Sequence, residues 1–179
     1  RIMAHEFDNP TLALVRDLFI FACFTALSFV DMKELTTDEI VEVNGEKWIL
    51  SKRHKTNVPF QVKLLDIPLQ IIERYKAFQE NNLVFPNLNY WSICKRMGKM
   101  IKECGITKKI SFHCSRHGFA TLALSKGMPI ESVSRILGHT NIETTQIYAK
   151  ITVQKLDNDL TMLGDKLSKS FGNVKIAGI

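Results

Sequence analysis

The segment SFHCSRHGFATLALSKG, beginning at Ser111, gathers side chains able to do chemistry: His113, Cys114, Arg116 and His117. His113 and His117 are four apart, the spacing at which one helix face offers two imidazoles to zinc. Between them stands Arg116, a permanent cation where a metalloprotease helix carries its glutamate. That argues against a metal. His113 and Arg116 are three apart, so near a helix start both can point the same way beside free backbone N–H groups. Such a face favours an anion, and the guanidinium fork matches phosphate geometry. The alternative is structural: a histidine capping the helix and an arginine paired with a surface carboxylate.

A second cluster lies in GMPIESVSRILGHTNIETTQIYAK. Gly138 suits a left-handed helix end after Leu137, and Thr140 with Glu143 predicts a capping box for the next helix. His139 is then held in a tight loop between two caps. Tyr148 follows nine residues later, more than two turns into the new helix. Taken singly, a loop histidine and a helical tyrosine read as structural. Two short helices around LGHTN also read as a helix-turn-helix that inserts into DNA, although IETTQIYAK carries few long donors for base edges.

The elements that must position these groups are mostly helical. Leu12, Val15, Leu18, Phe19 and Ala22 recur as one apolar stripe and predict a helix from Thr11 to about Leu27. A short helical turn, DMKEL, opens at Asp31. IVEV and KWIL are β-prone runs around an Asn44–Gly45 turn signal, and VPFQVKL is a third. Together they predict a small antiparallel sheet whose second turn is cationic, with Lys52, Arg53, His54 and Lys55. Helical patterns return from Pro68 to about Glu80, Asn89 to Cys104, Phe112 to Ser125, Pro129 to Leu137, Ile142 to Lys150 and Thr152 to Lys166. The last dozen residues read as a loose tail.

Composition bounds the rest. A chain of 179 residues, 45% of them hydrophobic, supports one domain with a real core and excludes disorder. The best membrane candidate, LFIFACFTALSFV, stops at Asp31, short of the ~18 residues a span needs, so no membrane is expected. Arg1 is followed by nothing resembling a signal peptide, and a start without Met predicts a fragment of a longer cytoplasmic chain. Cys23, Cys94, Cys104 and Cys114 are scattered without a CxxC pair, as reduced core thiols are. The net charge of +6 is compatible with a polyanionic partner.

These boxes, in this order, resemble the catalytic domain of the tyrosine recombinases, the phage-integrase family of DNA strand-exchange enzymes. HCSRHGFAT resembles the family's His-x-x-Arg box, LGHTNIETTQIYAK its Leu-Gly-His and nucleophile boxes, and FTALSFVDM its first arginine box. RHKT sits where the family keeps its β-hairpin lysine. The likeness runs from about Thr11 to Lys150. It implies a mainly α fold with a small three-stranded antiparallel sheet, the α+β architecture of DNA breaking-rejoining enzymes. It also implies the activity of a recombinase or integrase from a bacterial mobile element, such as a conjugative transposon or phage. Tyr148 would attack a DNA phosphodiester, forming a 3′-phosphotyrosyl link and freeing a 5′-hydroxyl. Arg116 would hold the non-bridging oxygens, His113 and His139 would donate or relay protons, and Lys55 would protonate the leaving oxygen. No metal or nucleotide cofactor is implied, because the phosphotyrosine link conserves the bond for religation.

One position departs from the pattern. Ser28 stands where the family has an arginine, three residues before Asp31, which matches the acidic position. Either the domain lacks one phosphate clamp or another arginine reaches the same phosphate. Arg53 is the expected substitute, because it shares a strand face with Lys55 if the extended pattern continues to the turn. Lys52, His54, Lys95, Arg96 and Lys99 are expected phosphate contacts, with a solvated helix face as the alternative for the last three. Were about 6 to 10 phosphates engaged, affinity would fall roughly 10³- to 10⁵-fold between 50 and 200 mM salt.

The expected layout is a linker remnant over residues 1–10, a catalytic core over 11–150 and a C-terminal helix and tail over 151–179, cut from a larger integrase with N-terminal DNA-binding domains. The resemblance implies double-stranded DNA at specific sites as substrate, and other protomers as partners in a tetramer on paired sites. Val153, Leu156, Leu160 and Leu163 would then pack either on a neighbouring protomer or on their own domain. Two rival readings are a non-catalytic helix-turn-helix regulator and a type IB topoisomerase.

Overall fold

The computed structural model describes residues 1–86, 89–149 and 153–172, with side chains throughout except at 153–155 and 171. The chain divides into two units, Arg1–Tyr148 and Ala149–Ile179.

The first unit is organised around α1 (Pro10–Thr25). Asn9 starts it by accepting the Thr11 N–H at 2.9 Å, with Pro10 at the first helical position. Val15, Leu18, Phe21 and Ala22 are fully buried on it, because α3 (Asp66–Tyr75), α4 (Tyr90–Glu103) and α5 (His113–Ser125) pack against it from different sides. Burying each large side chain of this kind contributes about 1.5 to 3 kcal/mol. Asp17 is the one buried charge on this helix, and it is neutralised by Arg16 at 2.8 Å, Arg74 at 2.7 Å and the Tyr75 hydroxyl at 2.8 Å. Among the described residues, no helix is long and apolar enough to cross a membrane.

At its C-terminus α1 turns through Ala26, left-handed at φ 58°, into α2 (Phe29–Glu34). Ser28 caps α2: its Oγ accepts the Asp31 N–H, and the Asp31 carboxylate accepts the Ser28 N–H, each at 3.2 Å. The helical turn expected from Asp31 therefore opens earlier, at Phe29.

The sheet is β1 (Ile40–Val43), β2 (Glu46–Lys52) and β3 (Pro59–Lys63), antiparallel in that order. Asn44 and Gly45, at φ 53° and 77°, supply the doubly left-handed turn that suits a two-residue hairpin. Ile49 lies opposite Val62 and both are buried, whereas Leu50 and Gln61 on the other face are exposed. Because β2 ends at Lys52, Arg53 and Lys55 do not share a strand face. The Arg53 N–H donates to the Val58 carbonyl at 2.9 Å and the Asn57 N–H to the Arg53 carbonyl at 2.7 Å, closing a turn. Arg53 points inward, 5% exposed, and Lys55 outward at the tip.

α3 ends at Tyr75 and a 3₁₀ turn, Lys76–Phe78, completes the segment expected to run to Glu80. α6 (Ile130–Leu137) ends on Gly138 at φ 62°, the left-handed end the sequence predicts. The helix expected over Ile142 to Lys150 is instead a single turn, α7 (Glu143–Gln146), and Lys150 lies outside the described residues. The expected Thr140–Glu143 box gives way to Asn141, whose Oδ1 accepts the Glu143 N–H at 2.9 Å and whose Nδ2 donates to the Glu143 carboxylate at 3.0 Å. Tyr148 therefore stands just past a short turn and not inside a long helix.

The second unit contains α8 (Val153–Phe171), which runs past the expected end at Lys166 and takes in part of the supposed tail. Leu156, Leu160, Leu163 and Leu167 recur on it as an exposed apolar stripe. Thr152 and residues 173–179 lie outside the described residues.

Candidate active site

Asp31 anchors the site. Its carboxylate accepts the Arg53 Nη1–H at 2.8 Å, the Ser28 hydroxyl at 2.8 Å and the His54 backbone N–H at 3.0 Å. Burial alone would raise this carboxyl, but the His54 N–H, the Arg53 guanidinium and the Ser28 hydroxyl outweigh it and hold Asp31 below the usual carboxylate range.

Arg53 is locked on every side. Its Nη2 donates to the Ile136 carbonyl, and its guanidinium carbon lies 3.8 Å from the centroid of the Phe60 ring. Gly138 closes over the stem: a Cβ there would stand 2.7 Å from Arg53 Cγ and 3.0 Å from Nε, so only a bare Cα leaves room. Nε is buried without a hydrogen-bond partner. Burial pulls the Arg53 pKa down, against the opposing pull of Asp31.

Arg116, on α5, is the neighbouring cation. Its Nη1 donates to the Ala26 carbonyl at 2.9 Å and its Nη2 to the Leu137 carbonyl. The last turn of α6 thus offers one carbonyl to each arginine, Ile136 to Arg53 and Leu137 to Arg116. These are the unsatisfied carbonyls at the negative end of a helix, which favours cations there. Burial, and then the charge of Arg53, bring the Arg116 pKa down to about 10, with Asp31 and Tyr148 pulling the other way. Arg116 therefore remains charged at neutral pH, with Arg53 close enough to repel it.

His139 follows directly from Gly138, and its Nδ1 lies 2.9 Å from Thr145 Oγ1. Burial and then the charges of Arg116 and Arg53 hold its pKa below the ordinary histidine value, so it is neutral at pH 7. His113, at the start of α5, is lowered likewise by partial burial, His117 and Arg116. Its ring packs edge to face on His117, centroids 4.4 Å apart, and His117 packs in turn on Tyr148 at 5.1 Å. Tyr148 is half-buried, with its N–H donating to the Thr145 carbonyl at 3.0 Å.

Of the residues the sequence singled out, Arg53, Arg116 and His139 therefore converge, and His113 and Tyr148 meet through His117. Lys55, Lys52 and His54 sit on the exposed rim of the hairpin, with the His54 ring 3.6 Å from the Glu34 carboxylate. Lys95 and Lys99 are exposed on α4, whereas Arg96 is half-buried and donates to the Ser92 carbonyl at 3.3 Å. With Trp91 they line a groove of about 520 Å³ that shares no residue with the arginine pair. Sequence reasoning missed the parts played by His117, Thr145 and Phe60. The first was legible only as the neighbour of His113 one helical turn away, and the others carry no motif.

Residues 1–155 match the phage integrase family. Among curated proteins, tyrosine recombinase XerD of Listeria monocytogenes serotype 4b is 45% identical over 67 residues, covering 37% of this chain and 22% of the relative. Tyrosine recombinase XerC of Myxococcus xanthus is 38% identical over 65 residues, covering 36% and 22%. Among solved structures, the XerH site-specific recombinase bound to palindromic difH substrate superposes with a TM-score of 0.71 at 23% identity, covering 91% of this chain and 49% of that one. The Tn1549 transposon integrase in complex with a circular intermediate DNA gives 0.69 at 16% identity, covering 87% and 60%. The aligned region spans under a quarter of the curated relatives' length and about half of the solved chains. The matched span takes in every site residue described above, and the chain belongs to the phage integrase family.

Proposed function

We propose that this chain is the catalytic portion of a site-specific DNA recombinase that cleaves and rejoins double-stranded DNA through Tyr148. The observation that carries the reading is the pair of guanidiniums of Arg53 and Arg116, each held by fixed acceptors, beside His139, His113 and a half-buried phenol. The phenolic oxygen of Tyr148 attacks phosphorus, the bond from phosphorus to the 5′-oxygen breaks, and a 3′-phosphotyrosyl link remains. His139 or His113 takes the phenolic proton, and Lys55 on the hairpin tip protonates the departing 5′-oxygen. A phenol with a pKa of about 10 needs such help at neutral pH. Each preorganised donor to the non-bridging oxygens is worth roughly 10²- to 10³-fold in rate, so the site needs no metal.

Arg53 takes the part of the arginine absent at Ser28. What supports this is its partner: it is bonded to Asp31, the acidic residue three positions after Ser28, while Ser28 is occupied in capping α2. Lys52, His54, Lys95, Arg96 and Lys99 contact the DNA backbone, and other protomers complete an assembly on paired sites. The solved relatives carry DNA in both cases named above, and a transposon integrase among them favours a cytoplasmic enzyme of a mobile element. The rival regulator reading is weakened by α7, whose four residues are too short to lie along a major groove as a recognition helix.

The test is a suicide DNA substrate offered to the full-length protein. An SDS-stable adduct that disappears with Tyr148→Phe is expected, whereas specific binding with no adduct would overturn the reading in favour of the regulator. Relaxation of a supercoiled plasmid carrying no recombination site would favour the topoisomerase instead. Arg53→Ala should abolish the adduct and Ser28→Arg should change it little; the reverse would remove Arg53 from its assigned role.

A further inference from the structure

Tyr148 reaches the site from just past a single helical turn, and among the described residues its ring meets one other ring. Its backbone is tied to Thr145, and its ring meets the ring of His117 at 5.1 Å and 72°. His117 is half-buried on α5, directly after Arg116, and it also meets the ring of His113 at 4.4 Å and 81°. We infer that His117 is a positioning residue that seats the phenol of Tyr148 against the helix that carries Arg116.

The physical reason lies in the edge-to-face geometry. The positive edge of one ring meets the negative face of the next, so the contact fixes an angle as well as a distance. His117 and Arg116 are consecutive on one rigid helix, and Arg116 is itself fixed by the carbonyls of Ala26 and Leu137. A phenol seated on His117 is therefore registered to the phosphate that Arg116 grips. His113, edge to face with His117, restrains that ring in turn. The shape of the ring performs this task, and its ring nitrogens do not.

The inference rests on Tyr148 being the nucleophile, and its test keeps the two apart. Full-length wild type, His117→Ala and His117→Phe are given a suicide substrate, and single-turnover adduct formation is timed alongside the Kd for the same DNA. Misplacing a reacting atom by about 1 Å costs up to roughly 10²-fold, so His117→Ala should slow adduct formation about 10- to 100-fold with the Kd unchanged. His117→Phe, which keeps a ring edge and has no titratable nitrogen, should restore most of the rate. Should the alanine protein melt early, His117→Leu fills the space without an aromatic edge and takes its place. An alanine or leucine protein as fast as wild type overturns the inference, and so does a phenylalanine protein as slow as alanine, which would make His117 a proton carrier. If wild type itself forms no adduct, the proposed function falls first.

Discussion

Arg53 and Arg116 each donate to a carbonyl in the last turn of α6 and to a second acceptor outside it, whereas Tyr148 stands beyond a four-residue helix with, among the described residues, one backbone hydrogen bond from its N–H and a ring contact. The two sides of one site are thus built to different tolerances. Charges that stabilise a transition state act best when they need not reorganise, and the cationic side is fixed in advance. Under the proposed reaction the phenol becomes joined to DNA and must afterwards travel with it, a task that suits a residue with few ties among the described residues.

Arg53→Ala should break this contrast most severely. It would leave the Asp31 carboxylate, whose side chain is 5% exposed, without its cation, at a cost of about 3 to 5 kcal/mol. Urea unfolding would read this, and a loss under 1 kcal/mol would mean that the cationic side is no better fixed than the tyrosine. Gly138→Ala ranks next. It places a Cβ in a left-handed position and 2.7 Å from the Arg53 stem, so a loss of at least about 1 to 2 kcal/mol and a displaced Arg53 are expected.

Acid sharpens the comparison from another side. His113 and His139 have pKa values below the ordinary 6.5, so the unfolded chain binds more protons than the folded one. Stability should therefore fall as pH drops through about 6.5 toward the lower folded values. The urea midpoint of His139→Gln should fall less over that window than that of wild type. Ser28→Ala should cost about 1 kcal/mol through loss of the α2 cap, visible as a lower melting temperature. Smallest of all, Tyr148→Phe should shift stability by less than about 0.5 kcal/mol while removing all adduct, because the ring contact survives.

Much of the fold was legible from periodicity and punctuation: the stripe of Leu12, Val15, Leu18 and Ala22 marks α1, and Gly138 marks the end of α6. The errors have physical causes. Thr140 and Glu143 made a plausible capping box, but Asn141 competes for the same N–H with a shorter reach, and α7 shrinks accordingly. Arg53 was expected beside Lys55 on a strand, yet the chain leaves the sheet at Lys52 and turns the two apart. The Ser28–Asp31 box was readable as a cap from its spacing and was read only as a missing arginine. His117 against Tyr148 was not readable at all, since that contact exists only once α5 and the chain after α6 are folded together.

Arg53 takes its two fixed acceptors from opposite directions along the chain, Asp31 twenty-two positions before it and Ile136 eighty-three after. A ribosome must therefore finish α6 before the guanidinium has both its holders. Tyr148 comes later still in the chain, so both holders of Arg53 are made before the phenol is. The order of synthesis thus completes the fixed cationic side of the pocket ahead of the phenol beside it.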